Sequence, residues 1–412
     1  MDQFDKLNEL KIRNGLPNFF NKIKQGKNVT IAYLGGSITY QKGWRDGTFQ
    51  WFKQKYPNVE FSQINAGVSG TGSDLAAARL ERSVLQYKPD LVFIEFQAND
   101  GSGEDEVLTG RMEGIVRKLW KTDPYIDICF FYVITKGQTA IINEGNQTRV
   151  TTAHDKTAGY YGIPSINPGI EVANLEKEGK LIFVGTNTDE DANKIVFSMD
   201  GVHPIEEGHQ IYTDVIARCM EKLETSCEAA PFRHLTGEPL TSFGWENAKM
   251  YEICDILDMV EMQGSWEVVN PDDNAMVKKY MEEPVYNFKK VWKSDVPGDR
   301  ITIKFRGTTV GLYDLGGPES GQLMAVIDGK ENLLINRFTT FNDHPRHQYF
   351  YLPCMEYGDH TVTFKVHTEP CDKRSVLAKK SDFDLNPDKY KGNVIYLSRI
   401  IVLGELIKID KK

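Results

Sequence analysis

One short segment of the sequence contains an aspartate and a histidine three positions apart. Residues 198–204 have the sequence Ser-Met-Asp-Gly-Val-His-Pro, which places Asp200 and His203 in one predicted loop. A neutral imidazole can remove a proton from a hydroxyl, and a carboxylate beside it fixes the tautomer of the ring and stabilises the imidazolium that forms. The spacing therefore indicates a general base and the carboxylate that orients it, provided that the loop doubles back.

The candidate nucleophile for this pair is Ser37, which follows the first predicted strand. Gly35 and Gly36 precede it, and glycines there permit a tight turn that lifts the hydroxyl out at the edge of a sheet. Gly-Gly-Ser after a strand is also an ordinary turn, so the motif alone leaves both interpretations open.

Two further segments offer groups that can bind an oxyanion. The loop at residues 67–72 contains three glycines, so the N–H group of Gly70 can approach a ligand closely. Asn99 offers a side-chain amide at the end of another predicted strand. Both segments are also typical of turns, and only their occurrence together with the serine and the Asp-His pair favours catalysis.

Alternating strands and helices are predicted to position these residues. Short apolar runs rich in β-branched and aromatic residues indicate strands buried on both faces, and amphipathic stretches indicate the helices between them. The strands are predicted at 29–34, 59–64, 91–96 and 126–133, and the helices at 48–56, 74–87, 104–122, 147–161 and 205–224. This alternation predicts a parallel sheet between helical layers, with the site at the carboxyl ends of the strands.

The pattern changes after Ser226. A first domain is predicted at residues 1–226, and residues 227–284, which contain prolines and glycines, are predicted to connect it to a second. From 285 to 412, many short strands are separated by Gly, Pro and Asp turns. This pattern predicts a β-sandwich of the jelly-roll kind.

Length and charge narrow the classes of function. A chain of 412 residues exceeds the usual size of one hydrophobic core, so two domains are expected. A net charge of -9 disfavours nucleic acid and anionic membranes as partners. Residues 1–15 lack the apolar stretch of an export signal, and no segment approaches the roughly 20 apolar residues of a membrane-spanning helix. A cytoplasmic location is therefore expected.

No metal or cofactor site is predicted. The six cysteines are dispersed, which indicates thiols rather than a disulfide framework or a zinc site. Asp343, His344 and His347 could bind a metal, although a polar loop is the favoured interpretation. The glycines at 67–72 are not followed by the lysine of a phosphate-binding loop. The sequence does not determine the oligomeric state.

In their order along the chain, these motifs resemble the four blocks of the SGNH (GDSL-like) hydrolase superfamily. Residues 28–224 carry the resemblance, through Ser37, Gly70, Asn99, Asp200 and His203. It implies a flavodoxin-like α/β/α fold and a serine carboxylic-ester hydrolase without a cofactor, in which the N–H of Ser37 also binds the oxyanion.

The sequence departs from the family pattern at two positions. Gly36 stands where the family usually has aspartate, which removes no catalytic group. Gln97 stands where the family usually has glycine and places a polar side chain near the site. We therefore expect Gln97 to contact the substrate.

The predicted order of domains is similar to that of bacterial two-domain acetyl esterases acting on plant polysaccharides, in particular the acetyl mannan esterases. The resemblance implies a carbohydrate-binding-module-like second domain and removal of O-acetyl groups from oligosaccharides, with manno-oligosaccharides favoured. Sugars stack on exposed aromatic rings, so Trp44 is a predicted substrate contact, with a place in the core as the alternative. A short-chain lipid or thioester acylhydrolase and a non-catalytic glycan-binding protein remain open as alternative functions.

Overall fold

A six-stranded sheet forms the centre of the first half of this computed structural model, which describes residues 7–186, 193–226 and 230–409. In chain order its strands are β1 (Leu10–Lys11), β2 (Val29–Gly35), β3 (Phe61–Gly67), β4 (Leu91–Glu95), β5 (Asp127–Phe131) and β6 (Ser165–Ile166). In space they lie in the order β1-β6-β5-β4-β2-β3, and all neighbours are parallel except β1 and β6. The strands β2 to β5 correspond to the four strands predicted from the sequence.

Helices cover this sheet. Those that the structure describes in this half are α1 (Pro17–Lys24), α2 (Ser37–Tyr40), α3 (Trp44–Lys55), α4 (Ser73–Ser83), α5 (Asp105–Thr122), α6 (Gln138–Asn143), α7 (Arg149–Tyr161), α8 (Gly169–Lys177) and α9 (Glu206–Thr225). A separate parallel pair, β7 (Leu181–Val184) and β8 (Ile195–Ser198), precedes α9. The sequence patterns did not predict this pair.

The sheet is buried on both faces. On one face, apolar side chains of β2, β4 and β5 pack with α1, α3 and α9 in one cluster that includes Tyr33, Phe93 and Phe131. The alternate residues of the same strands, such as Leu34 and Ile94, are also buried. From β2 to β6 the strand order is that of flavodoxin-like folds, so the predicted α/β class is confirmed.

The second half of the chain is built from antiparallel strands. They are β9 (Ala248–Glu252), β10 (Val260–Gln263), β11 (Glu267–Val268), β12 (Trp292–Ser294), β13 (Arg300–Gly316), β14 (Gln322–Ile327), β15 (Lys330–Asn336), β16 (Arg346–Tyr351), β17 (Gly358–Val366), β18 (Ile395–Leu397) and β19 (Arg399–Leu406). Short helices, α10 (Ala275–Glu282), α11 (Lys373–Val376) and α12 (Lys380–Leu385), lie between them.

The long strand β13 organises this second half. Its first part pairs with β17 and β10, and its second part pairs with β16 and β19. The register with β19 shifts between Gly307 and Thr309, which marks a bulge at the change of partners. The predicted β-sheet domain is confirmed, whereas its jelly-roll order stays a prediction.

The chain divides into two compact units, residues 1–246 and 247–412. The predicted connecting segment, 227–284, is shared between them. In the first unit, Arg117 donates to the carbonyl oxygens of Thr236 and Gly237, and His234 contacts the buried Asp127 at 2.8 Å. In the second unit, β9 and β10 pair with β19 and β13. Although this segment has the composition of a linker, side-chain hydrogen bonds hold its first part in the first unit and strand pairing holds its second part in the second unit.

A membrane span is not found in the part of the chain that the structure describes, because each helix there is too short or too polar to cross a bilayer.

Candidate active site

Ser37 lies at the point where the order of the strands reverses. β2 has β3 on one side and β4 on the other, so the chain leaves these strands in different directions and a crevice forms at the carboxyl end of β2. β2 ends at Gly35, and Ser37 begins α2 with its side chain partly exposed. The turn therefore places a serine hydroxyl at the rim of the sheet.

His203 contacts Ser37 on one side and Asp200 on the other. Its Nε2 lies 2.8 Å from Oγ of Ser37, and its Nδ1 lies 2.7 Å from Oδ2 of Asp200. The loop doubles back because Oδ1 of Asp200 accepts hydrogen bonds from the backbone N–H groups of Val202 and His203, each at 2.8 Å. The structure thus brings together the three side chains that the sequence motifs singled out.

Hydrogen bonds keep the Asp200 carboxylate ionised. Desolvation alone would raise the pKa of Asp200, but the hydrogen bonds from the His203 ring and from the N–H groups of His203 and Val202 lower it well below its usual value. A charged carboxylate favours a proton on Nδ1 of His203 and leaves the lone pair of Nε2 facing Ser37. This arrangement can activate a serine hydroxyl as a nucleophile.

The side-chain amide of Asn99 lies against the turn that carries Ser37. A β-carbon built on Gly36 would lie 1.9 Å from Oδ1 of Asn99. The amide therefore occupies the space that a side chain at position 36 would need. In this turn, a side chain at position 36 would displace the amide of Asn99, which gives a steric reason for Gly36.

Gly70 lies in the loop between β3 and α4. Its φ angle is +67°, a conformation that favours glycine, and the residue is exposed. The turn alone therefore accounts for a glycine at this position. Its role as an oxyanion donor stays a prediction.

A buried network ties the Asn99 loop to the start of α4. The carboxylate of Asp100 accepts hydrogen bonds from Oγ of Ser73 at 2.6 Å and from its N–H at 3.0 Å, and Nε2 of His154 lies 3.0 Å from the same carboxylate. Desolvation opposes ionisation of Asp100, but its bonds to His154 and Ser73 lower its pKa. Since Gly70 lies three residues before Ser73, the network fixes both candidate oxyanion loops. Apart from the position of Asp100 next to Asn99, no local pattern predicts this network.

Glu95 is a second group that the sequence analysis missed. It ends β4 opposite Gly35 and accepts a hydrogen bond from Oγ1 of Thr39 at 2.8 Å. Burial raises the pKa of Glu95 to about 7, although hydrogen bonds from Thr39 and from the N–H of Gly36 oppose this shift. The carboxyl group thus links the helix that begins at Ser37 to the strand that leads to Asn99.

The two predicted substrate contacts are not presented to a ligand. Trp44 is 0% exposed and packs against Tyr33, Phe93 and Phe131. Its ring cannot stack on a sugar from inside the core, so its predicted contact is corrected to core packing.

Gln97 is also buried. Its Nε2 donates to Oε1 of Gln138 and to Oγ1 of Thr148, each at 3.1 Å. It therefore joins the β4 loop to the starts of α6 and α7 instead of facing solvent.

The residues considered for metal binding in the second unit are separated. His344 contacts Asp343 in an exposed pair, whereas His347 is buried against Tyr280 and Tyr286. Among the residues described here, no three His, Cys, Asp or Glu side chains are grouped to hold a metal ion.

Comparisons with known proteins agree with this arrangement. Residues 33–211 match the GDSL-like Lipase/Acylhydrolase family. The fold is similar to that of a two-domain esterase (CEX) active on acetylated mannans and co-crystallised with mannopentaose. That similarity has a TM-score of 0.73 and 21% identity over 98% of each chain. A second structure of a two-domain esterase (CEX) active on acetylated mannans matches with a TM-score of 0.72 and 20% identity, over 97% of this chain and 100% of the other.

A smaller match is a lipase/acylhydrolase from Enterococcus faecalis, with a TM-score of 0.35 and 19% identity, covering 50% of this chain and 100% of the other. A search of the curated proteins finds no match. The family match spans β2 to α9, the region that carries Ser37, Asn99 and the Asp200–His203 loop. The segment from β2 to α9 therefore matches the GDSL-like lipase/acylhydrolase family, and the chain is a carboxylic-ester hydrolase.

Proposed function

We propose that the chain removes O-acetyl groups from oligosaccharides, with manno-oligosaccharides as the favoured substrates. The observation that carries the proposal is the hydrogen-bonded line from Ser37 through His203 to Asp200, with contacts of 2.8 and 2.7 Å. A serine hydroxyl needs such a base to attack an ester at neutral pH, because the hydroxyl itself is a weak nucleophile.

The first half of the reaction forms an acetyl-enzyme. Nε2 of His203 takes the proton of Ser37 while Oγ bonds to the carbonyl carbon. The N–H groups of Ser37 and Gly70 and the amide of Asn99 stabilise the negative oxygen. His203 then gives the proton to the alcohol oxygen of the sugar, and the bond between the carbonyl carbon and that oxygen breaks, which releases the sugar alcohol.

The second half of the reaction releases acetate. His203 removes a proton from a water molecule, whose oxygen attacks the acetyl carbon. The bond to Oγ of Ser37 then breaks, and His203 returns the proton to the serine. Asp200 remains ionised throughout and stabilises the imidazolium in both halves.

Two observations support an acetylated carbohydrate. The fold similarity to a two-domain esterase active on acetylated mannans extends over 98% of this chain. The residues that follow α2 are polar, with Gln41 partly exposed and Lys42 exposed. Polar side chains can hydrogen-bond to hydroxyl groups, so these residues favour a sugar as the alcohol part of the ester.

The proposal is tested by mass spectrometry of acetylated manno- and xylo-oligosaccharides before and after incubation with the protein. We expect successive loss of acetyl groups, faster from the manno-oligosaccharides, and none with Ser37→Ala. Hydrolysis of p-nitrophenyl acetate is measured beside that of p-nitrophenyl palmitate. Preference for the palmitate would favour a lipid acylhydrolase, and hydrolysis of neither ester would contradict catalysis by this site.

A further inference from the structure

A cavity of about 480 Å³ begins at the residue after His203. Pro204 and Ile205 line it from the catalytic loop, Gln41 and Lys42 line it from the segment after α2, and α9 contributes residues that include Glu206 and Gln210. Small-molecule sites commonly have volumes of roughly 300–1,000 Å³. The cavity is therefore large enough for part of a substrate.

The chemistry of ester cleavage decides which part of the substrate lies on this side. The leaving alcohol oxygen must receive its proton from Nε2 of His203, so it lies within hydrogen-bond distance of that atom. The carbonyl oxygen lies toward Asn99, where its negative charge is stabilised. The alcohol part of the ester therefore extends on the His203 side.

The wall of the cavity contains an amide whose orientation is fixed by His209. The backbone N–H of Trp44 donates to Nδ1 of this histidine at 3.2 Å. Desolvation, helped by the nearby His203, lowers the pKa of His209 to about 4, although Asp46 opposes the shift. The ring is therefore neutral at pH 7, and its single proton must be on Nε2.

The neutral ring in turn orients Gln41. Nε2 of His209 lies 2.9 Å from Nε2 of Gln41. Two N–H donors cannot form a hydrogen bond with each other, and the protonated Nε2 of His209 can only donate. The terminal amide of Gln41 must therefore be rotated by 180°, which exchanges the positions of its nitrogen and oxygen and brings Oε1 toward His209. The NH₂ group of Gln41 is then left as a donor for a molecule in the cavity.

The rim has both signs of charge. Lys42, Glu206 and Gln210 are exposed, and they offer donors and acceptors together. Pro204 and Ile205 add an apolar surface that can contact the CH groups of a ring. This mixture suits a neutral ligand with many hydroxyls and does not suit an acyl chain or a strongly charged ligand.

We propose that this cavity is the subsite for the alcohol part of the ester, where Gln41 and Glu206 bind the hydroxyls of the sugar ring that carries the acetyl group. The inference rests on the proposed function and adds to it the place and the side chains that recognise the sugar.

The test compares two substrates in each variant. The measured quantity is kcat/KM for an acetylated manno-oligosaccharide divided by kcat/KM for p-nitrophenyl acetate, which has no sugar. A neutral hydrogen bond contributes about 1 kcal/mol, so Gln41→Met should lower this ratio about fivefold. A hydrogen bond to a charged group contributes about 1.5–3 kcal/mol, so Glu206→Ala should lower it about tenfold or more. Gln50→Met, an exposed glutamine on α3 outside the cavity, should leave both rates unchanged.

Each other outcome contradicts the subsite. An equal fall with both substrates in Gln41→Met would mean that Gln41 positions Ser37, and an unchanged ratio in both variants would mean that the sugar lies elsewhere. If Gln41→Met does not fold, Glu206→Ala decides, since its exposed side chain is at the rim. A wild-type protein that cleaves p-nitrophenyl acetate but no acetylated oligosaccharide would overturn the proposed function and the subsite together.

Discussion

In the described part of the first unit, two clusters each combine a serine, a histidine and an aspartate, and only one of them can react. In the exposed cluster, His203 lies between Ser37 and Asp200. In the buried cluster, Asp100 lies between Ser73 and His154. A serine is activated only when a base contacts its hydroxyl, and in the buried cluster the carboxylate accepts the serine hydrogen bond and separates the serine from the histidine.

The two clusters differ in their exposure to solvent as well as in the order of their hydrogen bonds. Ser73, Asp100 and His154 are each at most 1% exposed, so no ester can reach them. The side chains of His203 and Asp200 are 37% and 56% exposed. The same three residue types thus perform chemistry in one place and hold loops in the other, and their order of contact together with their exposure distinguishes the two roles.

The largest effect should follow from breaking the exposed cluster at its nucleophile. Ser37→Ala should lower kcat/KM for p-nitrophenyl acetate by about 10⁴-fold or more, because the attacking atom is lost. The melting temperature should stay within a few degrees of that of the wild type. Ser73→Ala is the matched control, since it should lower the melting temperature more than Ser37→Ala and retain most of the activity. The comparison fails if Ser73→Ala is the inactive variant.

The next effect concerns Asn99, whose amide lies against the turn that carries Ser37 and which precedes Asp100 in the chain. Asn99→Ala should lower kcat by about 10²–10³-fold with little change in KM, because an oxyanion donor acts mainly in the transition state. Steady-state kinetics with p-nitrophenyl acetate measures this. An unchanged kcat would assign Asn99 to the turn alone.

A smaller effect should follow from weakening the buried cluster. Asp100→Asn removes a charged acceptor from Ser73 and His154, and it should lower the free energy of unfolding by about 1.5–3 kcal/mol. Because the Asn99 and Gly70 loops then lose their common anchor, kcat should fall about tenfold, a loss of about 1.4 kcal/mol. Urea denaturation and kinetics measure the two losses. If the free energy of unfolding falls by the expected amount while kcat stays unchanged, the cluster does not position the oxyanion loops.

The smallest effect on activity is expected for Glu95. Its ionisation instead makes the free energy of unfolding depend on pH. Its pKa rises from 4.5 in the unfolded chain to about 7 in the fold, so the folded protein binds this proton more tightly. The stability due to it is complete below about pH 4.5 and is lost as the pH rises through about 7. Between pH 5 and pH 8 the free energy of unfolding should fall by about 2.5 kcal/mol from this group.

Glu95→Gln should remove most of that fall, and the exposed Glu144→Gln should not. Urea denaturation of the wild type and both variants at the two pH values measures the difference. An identical pH dependence in wild type and Glu95→Gln would show that Glu95 is ionised at both pH values.

The strands and the reactive residues were predictable because each leaves a local pattern. The buried runs of β2, β4 and β5 are continuous in the sequence, and Asp200 and His203 are three positions apart. The pairing of β7 with β8, by contrast, joins two segments of four residues each that are separated along the chain. The buried cluster combines Ser73, Asp100 and His154 from three separate elements, and only the fold brings them together.

Burial of single side chains was also beyond local patterns. Trp44 was predicted to contact the substrate, yet its ring packs in the core against side chains of β2, β4 and β5. Residues 230–246 have the composition of a linker, yet His234 is buried and stacks on Trp120. In both cases the partners are distant in sequence, so the environment of the residue depends on tertiary packing.

The contact between Gly36 and Asn99 has a consequence for how this protein tolerates mutation. Gly36→Ala would displace only the end of a partly exposed side chain, a movement that costs the fold little. The displaced group is the proposed transition-state donor. A selection that measures expression or melting temperature would therefore accept alanine at position 36, whereas a selection for ester cleavage would reject it. Position 36 is thus a site where the sequence constraint comes from turnover and not from stability.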